Sequence, residues 1–163
     1  MIKLAFIAAV LTIGGAWLAG DLARMAAPVN RPAPKPEQQT PGRVVLRADP
    51  DGHFRVDATI GGRRAPMLVD TGATVVALSY ENGRDLGLIS GADRFDLRVS
   101  TANGTVGAKR VVLRDLRVGS VQIQDVTAVV LSEGAMDGAL LGMSFLGRLR
   151  RMETSGDRMV LER

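Results

Sequence analysis

The 163-residue chain has no cysteine and a single histidine, His53. Disulfides, thiol nucleophiles and thiolate-bound metals are therefore excluded, while the redox compartment stays open. One imidazole cannot build a histidine-based zinc site, and any Ser-His-Asp triad would have to run through His53. Aromatic residues make up only 4% of the chain. None interleaves with the densest basic spots, Arg63-Arg64 and Arg148, Arg150 and Arg151. Nucleic-acid surfaces combine cations with stacking rings, so these spots read as solvated faces and no nucleic-acid partner is expected. The formal charge of +4 is thinly spread: from Gly42 onward, 17 Lys and Arg face 15 Asp and Glu, a net of +2.

Charge is absent from Leu4 to Gly20, a run closed by Lys3 and Asp21. That length is at the short end of what spans a bilayer. No small-x-small cleavage site follows it, and Trp17 sits near its end, where an indole suits the membrane interface. An uncleaved anchor over 1–25 is expected. Lys3 argues for an inside N-terminus against Arg24, Arg31 and Lys35 beyond the run, which places the rest of the chain outside. Five of the seven prolines, Pro28, Pro32, Pro34, Pro36 and Pro41, fall within 26–41. Proline removes amide donors and fixes φ, so this stretch reads as an extended spacer.

The folded part, 42–163, reads as short strands. Val44-Val45-Leu46 leads into Asp49-Pro50-Asp51-Gly52, a turn of the kind that closes hairpins. Phe54, Val56, Ala58 and Ile60 then alternate with polar residues at a period of two. Gly61-Gly62 turns the chain into a strand ending at Asp70. Ser79 is placed to cap a short helix from Tyr80 to Leu86 that Gly87 ends. Phe95, Leu97 and Val99 alternate up to Asn103-Gly104, a strong hairpin signal. Further strands are expected around Val111–Leu113, Leu116–Val118, Val121–Ile123 and Val126–Leu131, with turns at Gly119-Ser120 and near Gln124-Asp125. Arg158–Glu162 is strand-like. Regular strand spacing with turn residues between argues for a small all-β barrel or sandwich.

Two stretches carry chemistry. In Leu68-Val69-Asp70-Thr71-Gly72-Ala73 an acid follows an apolar strand and precedes another, Val75 to Leu78. A carboxylate in apolar surroundings is costly unless a partner charge, fixed donors or a reaction offsets it. Thr71 and Gly72 set a hydroxyl and backbone N–H groups beside it and let the chain turn tightly. The second stretch, Leu140-Leu141-Gly142, is a short apolar strand running into a helix-compatible turn through Leu149.

Asp70-Thr71-Gly72-Ala73, then the Asn103-Gly104 hairpin, then Leu141-Gly142-Met143-Ser144-Phe145-Leu146 follow the order of retropepsins. From about Gly42 to Arg163 the chain resembles the bacterial retropepsin-like aspartic proteases that carry an N-terminal membrane span. The resemblance implies an all-β, closed acid-protease barrel with one or two short helices, preceded here by a transmembrane helix. It implies peptide hydrolysis with Asp70 catalytic, Thr71 and Gly72 supporting the loop, and Ala73 as a small wall against substrate. Ala102, Asn103, Gly104 and Thr105 would form a flap over a protein or peptide substrate bound as an added strand. No cofactor or metal is implied. The chemistry needs two carboxylates sharing a proton, and the chain holds no second Asp-Thr-Gly or Asp-Ser-Gly; Asp137-Gly138 lacks the hydroxyl residue. The second carboxylate is then Asp70 of another copy in a two-fold homodimer. In retropepsins the chain ends build part of the dimer sheet, which would bury Val160 and Leu161. The expected location is the bacterial inner membrane, single-pass, with the protease domain in the periplasm. Two other classes stay open: a catalytically inactive, membrane-anchored β-barrel serving binding or assembly, and a hydrolase using His53 with Ser79 or Ser100. The latter lacks a Gly-x-Ser-x-Gly elbow.

Overall fold

The structure, a computed structural model, describes residues 40–101 and 104–163. The expected anchor (1–25), most of the expected spacer and the flap residues Ala102 and Asn103 lie outside the described residues. Among the described residues no helix is long and apolar enough to cross a membrane.

Among the described residues, ten strands and two short helices follow one another. They are β1 (Arg43–Arg47), β2 (Arg55–Ile60), β3 (Arg63–Val69), β4 (Val76–Leu78), α1 (Tyr80–Asp85), β5 (Leu97–Thr101), β6 (Gly104–Val118), β7 (Val121–Leu131), β8 (Ala139–Leu141), α2 (Met143–Leu146), β9 (Arg151–Ser155) and β10 (Arg158–Glu162). The larger sheet runs β2-β3-β8-β4-β7-β6-β5, and β6 also pairs with β2. That extra pairing, at Ala58↔Val118 through Ile60↔Leu116, closes six strands into a barrel. Closure removes the free edges that an open sheet would leave. β5 stays outside the ring, hung on the start of β6 as a hairpin.

The period-two signals translate directly into burial. On β2, Val56, Ala58 and Ile60 are buried while Arg55 and Asp57 are exposed. Ser79 accepts from the Asn82 N–H at 3.2 Å and caps α1. Gly83 lets α1 sit directly on β7, since a Cβ there would meet Val130 Cγ1 at 2.5 Å.

Three expectations need correction. The turn at Asp49–Gly52 does not close a hairpin of β1 with β2: apart from one bridge, Ala48↔Phe54, β1 pairs with β10. Arg55 instead bonds Asp49 and Asp51, and with the His53 N–H holds the Asp51 carboxyl well below its usual range. The turn expected near Gln124-Asp125 is a swap of faces within continuous β7. Arg114 and Asp125 are the one skipped pair in an otherwise unbroken register, and Asp125 has φ 52. Before it the buried residues are Ile123 on β7 and Leu116 on β6; after it they are Val126 and Leu113. Both strands therefore switch their buried face together, which lets one long hairpin wrap the core. Finally, Leu161 is fully buried within its own chain, in a three-stranded sheet β1-β10-β9 whose last hairpin the sequence reading missed. Val44, Leu46, Met159 and Leu161 face the core, and Val160 is only half-buried.

Candidate active site

Asp70 stands at the end of β3, where parallel β3–β8 pairing sets Leu68 beside Leu140 and Val69 beside Leu141. Its N–H donates to the Leu141 carbonyl at 3.1 Å, so β8 fixes the height at which the loop leaves the sheet. Its carboxylate oxygen Oδ1 accepts the Gly72 N–H at 2.8 Å. The Ala73 N–H donates to the Asp70 carbonyl at 3.3 Å, closing a tight turn. Asp70 is half-buried, whereas Thr71 and Gly72 are exposed.

The far side of the loop is tied to α2. The Met143 N–H donates to the Ala73 carbonyl at 2.8 Å. Ser144 Oγ accepts the Val76 N–H at 2.9 Å and donates to the Thr127 carbonyl at 2.7 Å. One hydroxyl thus binds the exit of the Asp70 loop to β7, satisfying two backbone groups that this crossing would otherwise leave unpaired. Gly142 is the residue that lets the crossing happen. A Cβ there would collide with the Val75 carbonyl and stand 2.7 Å from the Ala73 carbonyl oxygen. The sequence flagged Leu141-Gly142-Met143-Ser144 but assigned Ser144 no task, because its partners are 17 and 68 residues away.

Above the loop is an open cleft of about 600 Å³. Asp70, Gly72 and Ala73 line it at one side, and Val99, Ser100 and Thr101 of β5 at the other. Its apolar wall is Ala77, Val129, Leu131 and Leu140. A single sheet row, Leu140–Ala77–Val129 across β8, β4 and β7, makes that wall. Thr71, Gly104 and Thr105 are exposed and do not line the cleft of one chain, so the β5–β6 hairpin contributes to it through β5 rather than the start of β6. Met136 and Asp137, in the β7–β8 loop, also line it. No local pattern signals that, since the loop is far from Asp70 along the chain.

The root of the β5–β6 hairpin is held by Lys109, whose Nζ lies 2.5 Å from Asp93 Oδ1. The Lys109 ammonium, then the Ser90 N–H, hold the Asp93 carboxyl below its ordinary value. His53 is remote from the cleft: it is exposed and paired with Asp51 at 3.3 Å. No cluster of three or more His, Cys, Asp or Glu able to hold a metal occurs among the described residues.

A closed six-stranded barrel with an aspartate loop threaded by a hydrophobic-hydrophobic-glycine strand defines the retropepsin-like class. The chain belongs to the gag-polyprotein putative aspartyl protease family, whose sequence pattern it matches over residues 56–148. It is similar to the crystal structure of a retropepsin-like aspartic protease from Rickettsia conorii, with a TM-score of 0.66 and 28% identity over 74% of this chain and 89% of that one. It is 39% identical over 118 residues to an uncharacterized protein in the cobV 5′ region of a Sinorhizobium species, covering 72% of this chain and 51% of that protein. It is 29% identical over 120 residues to the uncharacterized protein RP867 of Rickettsia prowazekii (strain Madrid E), covering 74% and 51%. The chain spans about half the length of these curated relatives.

Proposed function

We propose that the protein is an aspartic endopeptidase in which the Asp70 carboxylates of two copies, one from each chain of a homodimer, form the catalytic pair. The observation that carries this reading is Asp70 itself, a half-buried carboxylate set at the cleft by the parallel β3–β8 pairing and oriented by the Gly72 N–H. Two carboxylates that close cannot both ionise easily, so the pair holds one shared proton. The ionised one takes a proton from water as its oxygen attacks the peptide carbonyl carbon. The protonated one gives its proton to the carbonyl oxygen. The resulting diol then collapses, the C–N bond breaks and the amine nitrogen leaves protonated. Exposed Thr71 and Gly72 are the surfaces through which two such loops would meet on a two-fold axis. Ala73 leaves room for substrate backbone, and the hairpin tip at Ala102, Asn103, Gly104 and Thr105 would close over an extended peptide. The charge-free run at Leu4–Gly20 would hold the enzyme in the bacterial inner membrane with its folded part in the periplasm. Anchoring two copies in one membrane raises their effective concentration and favours the pair.

The test is cleavage of an unstructured protein by the full chain beside Asp70→Asn, followed as enzyme concentration rises. Activity lost in the variant and steeper than linear in concentration is expected. Activity that survives the variant would sink the reading. No cleavage by either protein from acidic to neutral pH would turn it toward a catalytically inactive, anchored binding or assembly module.

A further inference from the structure

The charge of the cleft is opposite in sign to that of the folded part around it. Two of its lining residues are ionisable, Asp70 and Asp137, and among the described residues no Lys or Arg lines it, although 17 of them face 15 acids from Gly42 onward. Asp70 accepts the Gly72 N–H and, on the proposed function, attends to water and the scissile carbonyl. Asp137 has neither task. It is exposed and makes no hydrogen bond or ion pair among the described residues.

Its loop is built to keep it there. Gly134 and Gly138, both with φ 71, bracket Ala135-Met136-Asp137. The Ala135 N–H donates to the Ser132 carbonyl at 3.1 Å, and the Gly138 carbonyl accepts the Ser79 N–H at 2.9 Å. Ala135 and Met136 pack with Leu140 and Val75 on the apolar cluster beneath the cleft. The half-buried apolar side of the loop joins the cleft wall, and Asp137 is the charged residue that the loop adds to the lining. A peptide entering the cleft displaces water from that carboxylate. With a cation in the peptide, the pair forms in a less polar medium than open surface provides. With a neutral or acidic side chain, the carboxylate loses solvent and gains no partner.

We propose that Asp137 selects substrates with a lysine or arginine near an apolar residue, the apolar side chain resting on Ala77, Val129, Leu131 and Leu140. This rests on the proposed protease function. In a two-fold dimer the two Asp137 carboxylates would act on both sides of the scissile bond.

Peptides of one sequence with Lys, Gln or Glu at each position flanking an apolar–apolar bond test this with the full chain. Lys is expected to exceed Gln in kcat/KM by about fivefold at low salt, as for a single partly exposed ion pair. Glu should fall below Gln, and the spread should shrink as salt rises. Asp137→Glu should keep the order, Asp137→Asn should flatten it and Asp137→Lys should invert it. A change in kcat shared by all peptides would mean that Asp137 acts on the catalytic pair, and it would overturn the proposal. So would a Lys preference that survives Asp137→Asn. Calorimetric binding of the same peptides to Asp70→Asn protein separates this inference from the reading beneath it. The order Lys, Gln, Glu in binding without turnover by the wild type would uphold charge selection and sink the protease. Equal binding of all three would overturn charge selection even if cleavage occurs.

Discussion

The two sides of the cleft are held by different kinds of force. The floor, 70–76 with 140–144, is a crossing tied by backbone bonds and by the Asp70 and Ser144 side chains. Six of its bonds, among Asp70, Gly72, Ala73, Val76, Leu141, Met143, Ser144 and Thr127, lie between 2.7 and 3.3 Å. The hairpin side, β5 and the start of β6, is a two-stranded hairpin outside the barrel, with one ion pair at its root and a Thr101 hydroxyl bond to the Gly104 carbonyl at 2.9 Å. Part-buried, mutually dependent contacts make a surface that keeps its shape. An edge hairpin with solvated bonds opens at low cost. On the proposed function the site must fix a carboxylate yet admit a chain, which calls for one wall of each kind.

That contrast breaks most sharply at Gly142. Gly142→Ala drives a methyl into the Val75 and Ala73 carbonyls, which cannot both retreat without undoing the Asp70 loop. A loss of more than about 3 kcal/mol is expected in urea unfolding, and a near-wild-type midpoint would contradict the account of the crossing. Next is Ser144→Ala, which leaves the Val76 N–H and the Thr127 carbonyl without their partner. Its cost should be about 1–3 kcal/mol, with hydrogen exchange at Val76 accelerated; unchanged exchange there would show that the hydroxyl does not hold the loop.

On the hairpin side the effects should be smaller and different in kind. Gly104 has φ 114, a conformation that side chains rarely adopt. Gly104→Ala should cost about 1 kcal/mol through strain and should change peptide KM more than the Asp70 floor mutants change it per unit of stability lost. Equal effects on both walls would erase the distinction. Smallest of all is Lys109→Met at the hairpin root. The Asp93 carboxyl is held below its ordinary value when folded. Its contribution is therefore present above the ordinary carboxylate range and disappears as pH falls through the lowered value. Melting curves of wild type and Lys109→Met should differ slightly at neutral pH and converge in acid; a gap that widens in acid would reverse the assigned sign.

Legibility followed the range of the forces. The alternation of Val56, Ala58 and Ile60, the Ser79 cap and the Asp70-Thr71-Gly72 loop are local patterns, and each formed as its spacing indicated. The partnering of β1 was not local. Asp49–Gly52 has the composition of a hairpin turn, but Arg55 spends that turn on ion pairs while β1 finds its ladder more than a hundred residues later, on β10. Asp125 was read as a turn because a short polar pair interrupts two apolar runs; the same pair serves a strand that must change its buried face.

By itself the sequence determined the strand-rich character of the fold, the order of its motifs and the aspartate around which they gather, because side-chain alternation, capping and tight-turn chemistry act between near neighbours. Only the tertiary structure decided that six strands close into a ring, that Ser144 binds the loop to β7, that Leu161 is spent on its own core and that Asp137 faces the same cleft as Asp70. Those facts depend on pairing register and on what the chain excludes from contact at long range, and no local pattern of residues encodes either.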